Sequence, residues 1–115
     1  MTDINKLRDE ELTSVLYKRG QKKAELEREW VIAEHSRHVI LATLSAKHVG
    51  DSLAEANRKS RIDPEYIAHI EKMGNIKGNL IMARAQYDAI SFEIRMRLSR
   101  QYEDRQDMRA ESINT

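Results

Sequence analysis

DPEYIAHIEKMGNIKGNLIMARAQYDAISFEI, residues 63–94, is the stretch that decides the fold. It opens on Asp63-Pro64-Glu65, a strong helix start. Asp caps the free N–H groups, Pro fits the first helical position because it lacks the N–H that would go unpaired there, and Glu favours the positive end of the helix dipole. Behind that start the apolar residues repeat every three and four positions. One seam reads Tyr66, Met73, Leu80, Tyr87, Ile94, Gln101 and Met108, and its companion reads His69, Ile76, Ala83, Ile90, Arg97 and Asp104. This heptad spacing holds one face of a helix against a neighbouring helix. Apolar order lasts to Ile94 and then thins through Leu98 and Met108, which predicts a helix over 64–109 and a polar tail over 110–115.

Working toward the N-terminus, Ser52-Leu53-Ala54-Glu55 has the form of a capping box and predicts a short connector helix within 52–60, with Arg58, Lys59 and Arg61 at or beyond its end. Before it, His48-Val49-Gly50 marks the end of another helix, with Gly50 suited to a left-handed position. That helix is predicted over 9–47, because the segment has no proline, only Gly20, and is rich in residues that lose little on entering a helix. Asp9 is its expected N-cap, and Thr2 to Arg8 a short lead-in. If residue 47 faces residue 64, antiparallel pairing brings residue 19 beside residue 92. The expected fold is all-α: one domain, a long antiparallel helical hairpin with a short connector helix, assembled into an oligomeric helical bundle.

The oligomer follows from the first helix. One stripe is Leu12, Leu16, Leu26, Trp30, Ala33, Ile40 and Leu44, interrupted by Arg19, Lys23 and Arg37; another uses Gly20, Ala24, Val31, His38 and Leu41. Neither wins as a narrow seam. Between Trp30 and Ala46 apolar residues occur all round the helix, and a two-helix hairpin covers only one side. Leu53 and Ala56 of the connector would cover part, and a second subunit the rest. Gly74 and Gly78 each cost about 1 kcal/mol inside a helix, which a close helix approach would offset. The expected oligomer interface is therefore Trp30, Val31, Val39, Ile40, Leu44, Gly74 and Gly78.

Composition excludes much else. The chain of 115 residues is 40% hydrophobic, 34% charged and 5% aromatic, and its one Pro and four Gly are too few to punctuate a sandwich or barrel. The lack of cysteine removes disulfides, thiolate metal sites and cysteine nucleophiles. No apolar run reaches membrane-spanning length and the first residues are acidic and polar, so the expectation is a cytoplasmic protein without membrane contact. Twenty basic against nineteen acidic residues leave a net charge of +1, so any nucleic-acid face must come from local segregation. Lys18, Arg19, Lys22 and Lys23 form one basic cluster, and Arg95, Arg97 and Arg100 another; the predicted register brings both to the open end of the hairpin, a candidate nucleic-acid-binding patch. Glu25, Glu27, Glu29, Glu93, Glu103 and Asp104 surround them, as an ordinary mixed-charge surface would.

His35 and His38 have metal-ligand spacing, but no histidine has Glu three residues before it, so neither a metal nor another cofactor is expected. There is no nucleophile elbow and no phosphate-binding glycine loop. Leu7-Arg8 and Leu16-Tyr17-Lys18-Arg19 look like the opening of the small intertwined chorismate mutases, but the gap is too short and the paired aspartates are missing. The small secreted WXG hairpins fail at the turn, which reads His48-Val49-Gly50.

One resemblance stands. The connector Ser52-Leu53-Ala54-Glu55-Ala56, the boundary Arg61-Ile62-Asp63-Pro64-Glu65-Tyr66, and Met82-Ala83-Arg84-Ala85-Gln86-Tyr87-Asp88 followed by Arg95-Met96-Arg97-Leu98-Ser99-Arg100-Gln101 resemble small helical proteins of tailed bacteriophages and prophages, over roughly residues 9–101. Such proteins are often encoded beside recombination, replication or single-strand-binding genes. The resemblance implies a non-enzymatic, oligomeric accessory that works through contacts with a protein partner, on DNA recombination or replication or against a host system. Direct DNA or RNA binding through the basic end is the alternative.

Overall fold

The computed structural model describes residues 3–114; the side chains of residues 113 and 114 are left aside, and Met1, Thr2 and Thr115 lie outside the description. Among the described residues there are helices and no strands. A 3₁₀ turn, Ile4–Lys6, precedes α1 (Asp9–Ser45), α2 (Leu53–Arg61) and α3 (Pro64–Asn114). The two long helices pack against each other as a hairpin. The chain forms two compact units, Lys22–Ala83 and the described parts of Met1–Gln21 with Arg84–Thr115.

In the unit Lys22–Ala83 the core has two clusters, Leu26 with Leu80 and Ala83, and Ala33 with Met73 and Ile76. Trp30 packs against both. Its ring also carries the Lys77 ammonium 4.9 Å from the centroid, a cation–π contact on a half-buried side chain. The end of α1 is occupied by α2. The Ser45 hydroxyl donates to Asn57 Oδ1 at 2.9 Å, and its oxygen lies 3.2 Å from that of Ser60. Ser60 is fully buried and satisfied by donating to the Ala56 carbonyl at 2.7 Å.

The caps behave as their sequences suggest, with two exceptions. Ser52 accepts from the Glu55 N–H at 3.2 Å, and Asp63 Oδ1 accepts from the Glu65 N–H at 2.9 Å. The reciprocal half of the capping box is absent because the Glu55 carboxylate turns to Arg58, 2.6 Å away. Asp9 is not the cap of α1: it is the first helical residue, the Arg8 carbonyl accepts from Leu12 N–H at 2.9 Å, and the Asp9 carboxylate is spent elsewhere. At the other end α1 stops at Ser45, two residues short of the expected 47. There the Lys47 and His48 N–H groups bond the Leu44 and Ser45 carbonyls, the tighter 3₁₀ pattern. Gly50 does take a left-handed φ of 94°, but in the following turn, where Asp51 N–H reaches the His48 carbonyl at 3.3 Å.

The α1 seam is the first stripe together with its interruptions. In the unit Lys22–Ala83 it runs Lys23, Leu26, Trp30, Ala33, Arg37, Ile40 and Leu44, all buried or half-buried; in the other unit Leu12, Leu16 and Arg19 continue the spacing. Long cationic side chains lie along an apolar seam with their stems covered and their heads at the edge. Of the residues expected to face a second subunit, Trp30 and Ile40 are half-buried on this seam and Leu44 is buried. Leu44 is only 3% exposed, and the inward positions belong to the chain's own core. Leu53 covers nothing within the chain, being 77% exposed, whereas Ala56 is buried.

In the other unit Leu12 and Ile90 are fully or almost fully buried. Gly20 lies against the Tyr87 ring, and a Cβ there would meet Cε2 at 3.4 Å. The register differs from the predicted one: Arg19 donates to the Gln86 carbonyl at 3.0 Å, not to a residue near 92. The reason lies in the turn. The last residues of α1 are taken up by α2, so α3 starts beside a point short of the end of α1. The C-terminal boundary also moves: α3 runs to Asn114, past the expected 109, through the segment assigned to a polar tail. That segment contains no Pro or Gly, and its Ala110 and Glu111 favour helix. Every residue from 98 to 112 is exposed.

Candidate interaction surface

Two of the seven basic residues of the expected patch, Arg19 and Arg97, bond across the fold. Arg97 is the clearest case, with its side chain 18% exposed. Its Nε donates to Glu93 Oε1 at 3.0 Å and its Nη1 to Asp9 Oδ1 at 3.0 Å. Nη2 donates to the Ile4 and Asn5 carbonyls at 3.3 and 3.4 Å. These bonds raise the Arg97 pKa further above its already high value, the Glu93 and Asp9 hydrogen bonds being the main causes. The planar fork of the guanidinium ties α3, the first turn of α1 and the 3₁₀ turn together, so this member of the expected nucleic-acid patch is engaged within the chain. Arg19 is held by the Gln86 carbonyl, and Lys23 lies 4.0 Å from Glu27. Lys18, Lys22, Arg95 and Arg100 remain exposed.

Each unit has a shallow cleft. In the terminal unit a space of about 190 Å³ is lined by Asp9, Leu12, Thr13, Ile94, Arg97, Leu98 and Gln101. In the other, about 350 Å³ is lined by Glu29, Ile32, Ala33, Ser36, His69, Lys72 and Ile76. His69, a seam position in the sequence, crosses the hairpin there, with Nε2 2.8 Å from the Ala33 carbonyl oxygen. A carbonyl only accepts, so Nε2 carries the proton. His35 and His38 are exposed, and the Arg37 guanidinium stands 3.4 Å from His38 Nε2. Among the described residues no group of three His, Cys, Asp or Glu side chains is placed to hold a metal ion. Among the described residues no helix is long and apolar enough to cross a membrane.

The structure also exposes large apolar side chains. In the unit Lys22–Ala83, Val31 is 63% exposed, and Ile32, Val39, Ile81 and Met82 are exposed as well. Gly74 and Gly78 are open, with no atom within 4 Å of a built Cβ, so no close approach within the chain explains them. Val31, Val39, Gly74 and Gly78 thus lie on the outside of the chain. In the terminal unit, Ala85, Ala89, Phe92 and Met96 are all exposed on α3, Phe92 at 63%. At about 100° per residue they fall almost opposite the seam residues Tyr87, Ile90 and Ile94. Sequence reading missed this second stripe because alanines on a charged helix read as filler; its signal is the 4, 3, 4 spacing, visible once the first seam is fixed. In comparisons with known proteins, no family model, no curated sequence and no solved structure matches this chain.

Proposed function

We propose that this chain is a non-enzymatic helical interaction protein that self-associates and works through its exposed apolar helix faces. The observation that carries the reading is the set of large apolar side chains each unit leaves exposed: Val31, Ile32, Val39, Ile81 and Met82 in Lys22–Ala83, and Phe92, Met96 and Leu98 in the terminal unit. They sit on regular helix faces, where a second helix packs readily. On the resemblance to small helical phage proteins, further protein partners would be recombination, replication or host-defence factors.

Light scattering over a range of concentrations tests the reading. A mass of two or more chains supports it; a 13.4 kDa particle at every concentration would remove it.

A further inference from the structure

We infer that Ala85, Ala89, Phe92 and Met96 of α3 form a self-complementary seam on which a second copy of this chain docks antiparallel. The inference rests on the self-association proposed above and names its face and direction. The four residues alternate four and three apart, the spacing of a helix–helix seam, and lie on the exposed side of α3. The N-terminal half of the stripe is small and its C-terminal half is large. Around a two-fold axis midway between Ala89 and Phe92, Phe92 lands on the partner's Ala89 and Met96 on the partner's Ala85. Each large side chain meets a small one, twice over, as an isologous contact demands.

The flanking charges fix the direction. Asp88 and Arg95 share one border of the stripe, both are exposed, and neither makes an ion pair among the described residues. In the antiparallel arrangement each border faces its own counterpart, so Asp88 meets the partner's Arg95 and Arg95 meets the partner's Asp88. A parallel arrangement would set one border against the other. Arg95 would then face the partner's Arg100, Asp88 would approach the partner's Glu93, and Phe92 would confront the partner's Phe92. Like charges at these borders oppose association, as they do in coiled coils. The sequence of the stripe and the signs at its edge therefore select the same geometry.

The test compares the full-length chain with Phe92→Glu, Asp88→Arg, Arg95→Asp and the double exchange Asp88→Arg/Arg95→Asp, by sedimentation and circular dichroism. All five proteins keep the same helicity, since every altered side chain is exposed. The parent is a dimer, Phe92→Glu sediments as one chain, each single reversal weakens the dimer by about tenfold or more, and the double exchange restores it. A monomeric parent overturns the self-association itself. A dimer that survives Phe92→Glu, or single reversals that the double exchange does not repair, overturns this face and this direction while self-association stands. The reversal series decides the matter even where Phe92→Glu costs helicity.

Discussion

Replacing Gly74 and Gly78 by alanine separates two physical accounts of the same residues. Both lie in the interior of α3, far from its ends, and both have open space where a Cβ would go. Glycine in such a position loses more backbone freedom on folding than alanine, a difference of about 1 kcal/mol for each residue. No steric cost offsets the gain, because nothing within the chain lies within 4 Å. The double variant should therefore be stabilised by about 2 kcal/mol. For 115 residues, an unfolding entropy of about 2 cal/mol/K per residue turns this into a rise in Tm of about 8 °C, and about half that for each single variant. Thermal melts followed at 222 nm, at one fixed protein concentration so that association does not shift the midpoint, measure it directly. A Tm that is unchanged or lower would refute the reasoning. It would mean that another backbone approaches α3 at these glycines, as the sequence alone suggested.

Two other expectations concern charge. Hydrogen bonds from Lys59 and Arg58 lower the pKa values of Asp51 and Glu55, against a smaller opposing effect of desolvation. A lowered carboxylate pKa gives stability that is present above the ordinary carboxylate range and lost as pH falls through the lowered value. Acidification through that range should thus lower the protection of amides in α2, measured against their intrinsic exchange rates at each pH, before that of α3 between residues 64 and 83, and an equal loss of protection in both would contradict this. Arg97→Lys removes the fork that reaches Glu93, Asp9 and two carbonyls together, since a single ammonium cannot span them. Amide exchange at Lys6 and Leu7 should accelerate while that of residues near the buried Leu12 stays slow; unchanged exchange at Lys6 and Leu7 would show that the 3₁₀ turn holds without the arginine.

Much of the fold was legible because its signals are local. Asp63-Pro64-Glu65 and the Ser52 cap act within one turn of backbone, and the α3 seam from Tyr66 to Ile90 is nearly free of charge. α1 was ambiguous for the opposite reason. Arg19, Lys23 and Arg37 occupy seam positions, and a periodicity read from hydrophobicity counts them as breaks although their stems pack. The same blindness put the buried Leu44 on an outer face and hid the part Arg97 plays within the fold. A guanidinium reads as a free charge until the groups around it are known, and those around Arg97 come from residues more than 85 positions earlier in the chain and from its own helix.

By itself, then, the sequence determined the helices, the turn and the inward face of α3, since helix propensity, capping and a 3.5-residue period are set by neighbours a few positions apart. Tertiary structure alone decided which stripe of α1 is buried, how the two helices register, and which cations are tied down. Those outcomes depend on what stands across the hairpin: a seam lysine or arginine is tolerated only where its head reaches the edge or an acceptor. With one side of each long helix so used, the apolar residues left over became countable, and with them the faces still open to a partner.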